Sequence, residues 1–267
     1  NNEGTEAVMV EPYPAITSGD GERGYATGYA LRKGGSFNRK HYANGGGYTA
    51  AVCFRAAEAL LNYMEASYLL NGSLDASARE YWTILRQRAG ISADFDKTIA
   101  ATDMSKEAEN DWGAYTAGRV LQDATLYNIR RERRCEFLAE GLRYMDLRRW
   151  RSMDQLISSP SHLEGIHLWN TPMEQWYLDE NGASTLIADG SEDSNVSSES
   201  RSEYLRPFER TSTQAAFDGC TWKMAHYLSP IMAKQFRLTA TSGSDISTSI
   251  LYQNPYWPKA ADQPAEK

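Results

Sequence analysis

The sequence predicts a mainly α fold of helical hairpins, with long irregular loops and little β. Three observations carry that expectation. Two stretches, 50–90 and 119–152, hold apolar residues at helical spacing with capping signals at their ends. Each is interrupted by a turn rather than a linker. Beyond Ser152 the periodicity fades, and only one short stretch near the start resembles a strand.

Residues 1–48 read as a lead-in of loop and strand. Gly, Pro and Asn are frequent there, and Tyr25–Lys33 (YATGYALRK) is the best strand candidate before Asn44–Gly47 punctuates the chain. From Ala50 to Leu70 the spacing turns helical. Arg55, Glu58, Asn62 and Glu65 share one stripe, with Thr49 placed to cap the start and Asn71-Gly72 the end. A second helix, about Ala76 to Ala89, opens on the capping-box spacing Ser77–Glu80 and stops at Gly90. So short a turn predicts antiparallel helices, with Ala56, Ala57, Ala59 and Ala66 allowing close approach. Residues 91–118 read as a polar insertion in which Trp112 and Tyr115 sit on a loop.

A long helix then resumes near Arg119, and Gly141 is placed to break it into a second hairpin, about 119–140 and 142–152. Residues 158–223 are loop-rich. Within them the Ser-rich Asp189–Glu203 reads as an exposed excursion. Ser229–Leu238 reads as a short helix opened by Pro230, and the last ten residues as a disordered tail.

The 267 residues suffice for a sizeable core, and a net charge of −7 argues against a nucleic-acid binder. The three cysteines, Cys53, Cys135 and Cys220, lack C-x-x-C spacing and read as buried free thiols. The four histidines show no ligand spacing, so no metal and no cofactor is expected. No stretch has the roughly 20 apolar residues of a membrane span. The start, Asn-Asn-Glu-Gly, reads as that of a mature product or a fragment.

Arg130–Trp150 (RRERRCEFLAEGLRYMDLRRW) is the most informative stretch. It admits four readings: a solvated face, a nucleic-acid grip, a glycosidase carboxylate pair drawn from Glu132, Glu136 and Glu140, or an interior ion network. Drawn as one helix, Glu132, Glu136, Glu140, Arg143 and Asp146 share a stripe, with Arg133–Glu136, Glu136–Arg143 and Arg143–Asp146 as alternating pairs. Tyr127, Cys135, Leu138, Leu142 and Met145 fall opposite. Yet Leu121, Ile129, Leu147 and Trp150 lie inside the charged stripe, and Leu126 and Phe137 border it. Every cation is Arg, the side chain that pairs bidentately and stays charged when dry. We therefore favour an interior or half-buried network that holds helices together. Carboxylates compete with phosphate for these arginines, and arginine pairing would keep the glutamates ionised, which suits neither nucleic acid nor a general acid.

The same segment resembles the signature of the SusD/RagB family of outer-membrane nutrient-binding lipoproteins. Glu132, Arg133, Arg134, Glu136, Phe137, Glu140, Gly141, Arg143, Asp146, Leu147, Arg149 and Trp150 all match it. Further blocks agree in order: Thr27–Lys33, Phe54–Ala66, Ile84–Ile91, Ser229–Ile231 and Gln253–Trp257. Three positions depart. Met232 replaces a proline, Gln235 a glutamate, and Tyr256 a glycine.

The resemblance implies tetratricopeptide-like hairpins in an α-α superhelix, with signature residues that are structural. It implies no catalysis. It implies a lipid-anchored protein of the outer-membrane cell surface that captures oligosaccharide, or in some members peptide, for a TonB-dependent transporter of the SusC type. These blocks belong to the C-terminal half of the family's pattern. The expected partners therefore include a missing N-terminal half bearing the lipidated cysteine, an anchor that Cys53 and Cys135, placed inside helices, would not provide. We treat 1–267 as one domain: lead-in 1–48, hairpin 49–90, insertion 91–118, hairpin 119–152, loop-rich cap 153–257 and tail 258–267.

A sugar-binding site needs exposed aromatics flanked by amides and carboxylates. The candidates are Trp112 and Tyr115 in the insertion, and Trp169, Asn170, Glu174, Trp176 and Tyr177 in the cap. For each Trp the competing reading is core packing. Trp82 and Trp150 read as structural. A helical-repeat scaffold that only contacts proteins is the remaining alternative.

Overall fold

The computed structural model describes residues 13–17, 25–31, 33–34, 41, 45–47, 52–243 and 245–267. Most of the lead-in, including Thr49, lies outside that set. The described elements are mainly helical: α1 Ala56–Asn71, α2 Ala76–Arg88, α3 Phe95–Ala100, α4 Met104–Asn110, α5 Ala124–Glu136, α6 Arg143–Arg149 and α7 Ala233–Leu238. A single two-residue antiparallel pair, β1 Tyr115–Thr116 with β2 Arg119–Val120, is the only named sheet among the described residues. Contacts group the residues into two units where the sequence reading has one domain. The first joins 1–63 with 160–220, the second 64–159 with 221–267.

Helix ends follow local chemistry. Gly72 (φ +67) and Gly90 (φ +69) close α1 and α2 where expected. α2 opens on Asp75, whose carboxylate accepts from Ala78 N, rather than on the Ser77 capping box. α1 begins at Ala56, six residues later than the spacing suggests. Its buried row is Ala57, Leu61, Met64 and Glu65, while Ala56, Ala59 and Ala66 are exposed, so the small-residue seam does not form. Residues 91–118 are not a loop: they hold α3, α4, the 3-10 turn Trp112–Ala114 and β1.

In the second unit α5 is central. Five consecutive residues, Leu126 to Arg130, are buried, so packing surrounds every face of its first turns. Trp82 of α2 stacks on Phe95 of α3 at 4.5 Å and donates from Nε1 to Glu132 Oε2 at 2.9 Å. The arginine segment does break, but earlier than Gly141: α5 ends at Glu136, and Ala139 (φ +61) and Gly141 (φ +80) are both left-handed in the link to α6, so the single-helix wheel does not apply. Tyr127 is buried, but Cys135, Leu138 and Met145 from the supposed apolar side are exposed. Leu126, Ile129, Phe137, Leu147 and Trp150 are the buried ones. Leu147, Trp150, Met153, Leu156 and Trp222 form this unit's hydrophobic cluster.

The first unit packs Ile16, Ile166, Leu168, Trp169, Tyr177, Val196 and Leu205 together. Segment 165–169 pairs with 203–205 through Gly165 N to Leu205 O, Leu205 N to Ile166 O and Leu168 N to Glu203 O. Gly165 is required here: a Cβ would lie 2.2 Å from Thr27 O, inside van der Waals contact. Residues 25–31 form a turn rather than the expected strand, and Thr27 O accepts from Ile166 N at 2.8 Å.

Four further expectations are corrected. The Ser-rich stretch is mostly exposed, as expected, but anchored at its middle: Ser194, Val196 and Ser197 are buried, and Ser197 Oγ accepts from Arg206 N. The tail is ordered, with Ala225 N donating to Lys267 O and Lys223 Nζ to Ala265 O. α7 starts at Ala233, past Pro230, with Met232 as its cap. The cysteines are free, yet Cys53 precedes α1 and is exposed, Cys135 is exposed on α5, and only Cys220 is half-buried. Polar composition misleads in the first two cases because hydrogen-bonded polar groups bury at small cost.

Candidate functional site

The signature charges are paired within the fold. Glu65, 3% exposed, accepts two parallel bonds from Arg149 (Nη1 2.7 Å, Nη2 2.6 Å) and one from Trp150 Nε1 at 2.6 Å. Arg149 Nε reaches on to Asp146 Oδ1 at 2.9 Å, and Arg133 Nε holds the other oxygen at 2.7 Å. Asp111 is a second hub. Arg143 Nη2 (2.6 Å) and Gly113 N bind its Oδ1, while Arg134 Nη1 (2.9 Å) and the Tyr127 hydroxyl (3.1 Å) bind Oδ2. Glu107 accepts from Arg131 Nη1 and the Tyr127 hydroxyl. The Trp150 ring lies 4.7 Å from the Arg130 guanidinium and 4.8 Å from that of Arg149.

This is an interior network, as the all-arginine composition suggests, but with different partners. Arg133 meets Asp146 rather than Glu136, and Arg143 meets Asp111 rather than Asp146. Glu136 meets Arg88 of α2 at 2.5 Å, and Glu132 accepts from Trp82. Among the glycosidase candidates these two are engaged in the scaffold. Burial alone would raise the Glu65 carboxyl; the bonds and charge of Arg149, with Trp150 Nε1, outweigh it and hold Glu65 below the usual carboxylate range. Burial pulls the Arg130 guanidinium down to about 10 against the charge of Glu65. Burial, then the bond to Glu107, pushes the Tyr127 phenol up.

Two of the predicted ligand residues lie in the second unit. Trp112 is half-buried against the hydrophobic cluster, and its carbonyl accepts from Gln155 Nε2. Tyr115 pairs with Val120 in the small sheet, and its carbonyl accepts from Arg130 Nη1 and Ser152 Oγ. Both are tied into packing.

The other five lie in the first unit, around a 3-10 helix, Pro172–Tyr177. Thr171 caps it, accepting from Met173 N, and proline suits its first position. The short helix sends neighbouring side chains different ways. Tyr177 is buried, donates its hydroxyl to Pro14 O at 2.8 Å, and is pushed up to about 12 by burial. Trp169 is also buried, with Nε1 donating to Ser197 O at 3.0 Å. Their rings are core, so the open stacking faces expected of them are absent. Trp176 is 45% exposed, and its ring lies 6.4 Å from that of Tyr13, itself 39% exposed. Tyr13 meets Tyr177 edge-on at 5.2 Å.

Asn170 (φ +62) takes a left-handed turn, which Asn tolerates. Its backbone N donates to Glu174 Oε1 at 2.6 Å, and its amide reaches Glu199 and Glu203 at 3.0 and 3.2 Å. Two part-exposed rings, Tyr13 and Trp176, thus form a shelf, and Trp176 shares its 3-10 helix with Glu174, the acceptor of the Asn170 turn. Nearby in sequence, His167 stacks on exposed Tyr204 at 4.7 Å. Tyr13 and Tyr204 escaped the sequence reading. Tyr204 carried a signal, an aromatic at the edge of a Ser-rich stretch; Tyr13 carried none, because its partner is 163 residues away.

No group of His, Cys, Asp and Glu among the described residues is placed to hold a metal ion, and no described helix is long and apolar enough to cross a membrane. A family model described as the SusD family matches residues 3–257, nearly the whole chain. No curated protein and no solved structure matches.

Proposed function

The chain belongs to the SusD family, and from that premise we propose that it captures oligosaccharide and passes it to a SusC-type, TonB-dependent transporter. Members of that family are binding proteins of the cell surface associated with nutrient transport across the outer membrane. On this reading a lipid anchor holds the protein at the surface, and recognition falls to the loops while the arginine network fixes the scaffold.

The supporting observation is the Tyr13–Trp176 shelf. Two half-exposed aromatic faces suit the apolar face of a pyranose ring, and Asn170 and Glu174 on the adjoining turn suit its hydroxyls. Calorimetric titration of glycans into the chain, alone and as Trp176→Ala, tests it. Loss of the indole should weaken binding about tenfold, roughly 1.4 kcal/mol. Unchanged glycan affinity would remove the shelf from consideration.

Peptide is the second reading. The surface of 160–220 carries many more carboxylates than arginines, and Arg201 and Arg206 are already paired with Glu209. That surplus suits a basic peptide. Binding of such peptides without any glycan response would favour it.

A further inference from the structure

A shallow cleft of about 190 Å³ opens within the second unit. Arg151, Met224, Tyr227, Leu228, Pro255 and Tyr256 line it. Two of these hold left-handed backbone: Arg151 at φ +53 and Tyr256 at φ +65. For residues with a Cβ that region is strained, and neither Arg nor Tyr is among the types that tolerate it. Glycine would make the same turn freely. A tyrosine kept at 256 against its backbone preference needs a compensating role for its side chain.

The specific bonds made at this position do not call for a tyrosine. The residue is 40% exposed. The bond that fixes its backbone, Glu266 N to Tyr256 O at 2.9 Å, would survive with any residue there. The Lys267 ammonium lies 5.8 Å from the ring centroid, at the far limit of a cation–π contact. What the side chain distinctly provides is a wall of the cleft.

The chemistry of the cleft narrows its occupant. Arg151 Nη2 is tied to Asp154 Oδ2 at 2.5 Å, and the Tyr227 hydroxyl donates to Oδ1 of the same carboxylate at 2.6 Å. The charge and one hydroxyl are thereby engaged within the wall. The lining left over is mostly carbon, with two phenol rings and the Met224 thioether. Such a surface favours an aromatic ring and offers little to hold sugar hydroxyls. The volume lies below the roughly 300–1,000 Å³ of pockets that take whole ligands, and suits a single ring.

We propose that this cleft is a subsite for one uncharged aromatic ring, the chemistry shared by an aromatic peptide side chain and the phenyl aglycone of a glycoside. The assignment does not depend on the Tyr13–Trp176 shelf and survives if that reading fails.

The test is an NMR titration of the full chain with N-acetylphenylalanine amide, phenyl β-glucoside and methyl β-glucoside, following the backbone amides of 224–228 and 256. Both aromatic probes should move those signals and the methyl glycoside should not. Tighter binding of the amide identifies peptide as the source, and of phenyl glucoside the aglycone. Tyr256→Phe should retain binding. Tyr256→Gly should lose it at least tenfold while its melting temperature rises by a degree or two, since relief of strain exceeds the added freedom of the unfolded chain. Those opposite signs separate a binding role from a structural one. The assignment falls if no aromatic probe moves these signals, if methyl glucoside binds as well as they do, or if Tyr256→Gly melts lower.

Discussion

The arginine segment of the second unit and the turn around Asn170 in the first both gather carboxylates, and they use them in opposite ways. In the former, Glu65 is enclosed by Arg149 and Trp150, and each oxygen of Asp111 is held by a guanidinium and a further donor. In the latter, Glu174 answers only to the amide of its own turn among its recorded bonds, and Glu199 and Glu203 face outward beside Asn170. Charge density alone therefore says nothing about burial. The kind of cation and the apolar residues threaded among the charges do.

Four substitutions and one titration can break or sharpen that contrast. The largest effect is expected for Trp169→Ala, which empties a buried ring site and should cost about 3–5 kcal/mol in a thermal melt, with a falling Tm. If Trp169 instead contacts ligand from the surface, the melt will hold and affinity alone will drop. Next is Glu65→Ala, which strands Arg149 and the Trp150 indole. Breaking a buried pair costs about 3–5 kcal/mol, and the half-exposed Arg149 puts this one near the low end, or about 6–12 °C in Tm. Arg143→Ala leaves Asp111 three other donors, so we expect about 1–2 kcal/mol. Glu136→Ala removes a carboxylate that is 11% exposed but frees Arg88, 55% exposed, to turn to water, and should cost about 1 kcal/mol. An equal loss for Glu136 and Glu65 would erase the distinction between rim and interior.

Acid titration gives the smallest and most specific signal. Glu65 and Glu209 are both held below their ordinary pKa, Glu209 by His162 and Arg201 against its own burial. A lowered carboxyl stabilises the fold fully above its unfolded pKa, near 4.5, and that contribution is lost as pH falls through the folded value. Stability should therefore fall below about pH 4.5, and Glu65→Gln should flatten part of that slope. A Gln variant with the wild-type slope would show that Glu65 is not the linked group.

Much of the scaffold was legible for local reasons. Gly72 and Gly90 end helices because the left-handed turn is cheap for glycine, and such positions announce themselves; the end of α5 at Glu136, ahead of Gly141, did not. The buried network was legible because every cation is Arg and large apolar residues, Ile129, Leu147 and Trp150 among them, are threaded between the charges, although the single stripe drawn for them does not exist. Its wiring was not. Asp111 and Glu65 meet the arginines through the fold, and no spacing encodes a partner 84 residues away. Glu65 even reads as solvent-facing, since its helix carries apolar groups on the other sides. The ligand shelf was half legible for the same reason. An aromatic on a loop can be named from sequence, but whether Trp176 or Tyr177 stays open depends on which side chain a single 3-10 turn directs inward.

Asp146 carries one consequence for motion. It lies on α6, where Arg149 holds one of its oxygens at i+3, and Arg133 of α5 holds the other across the break that includes Gly141. The glycine therefore cannot serve as a swivel between the two helices, because rotating either one tears a guanidinium from the shared anion. Backbone amides of both should exchange with solvent in a single cooperative opening.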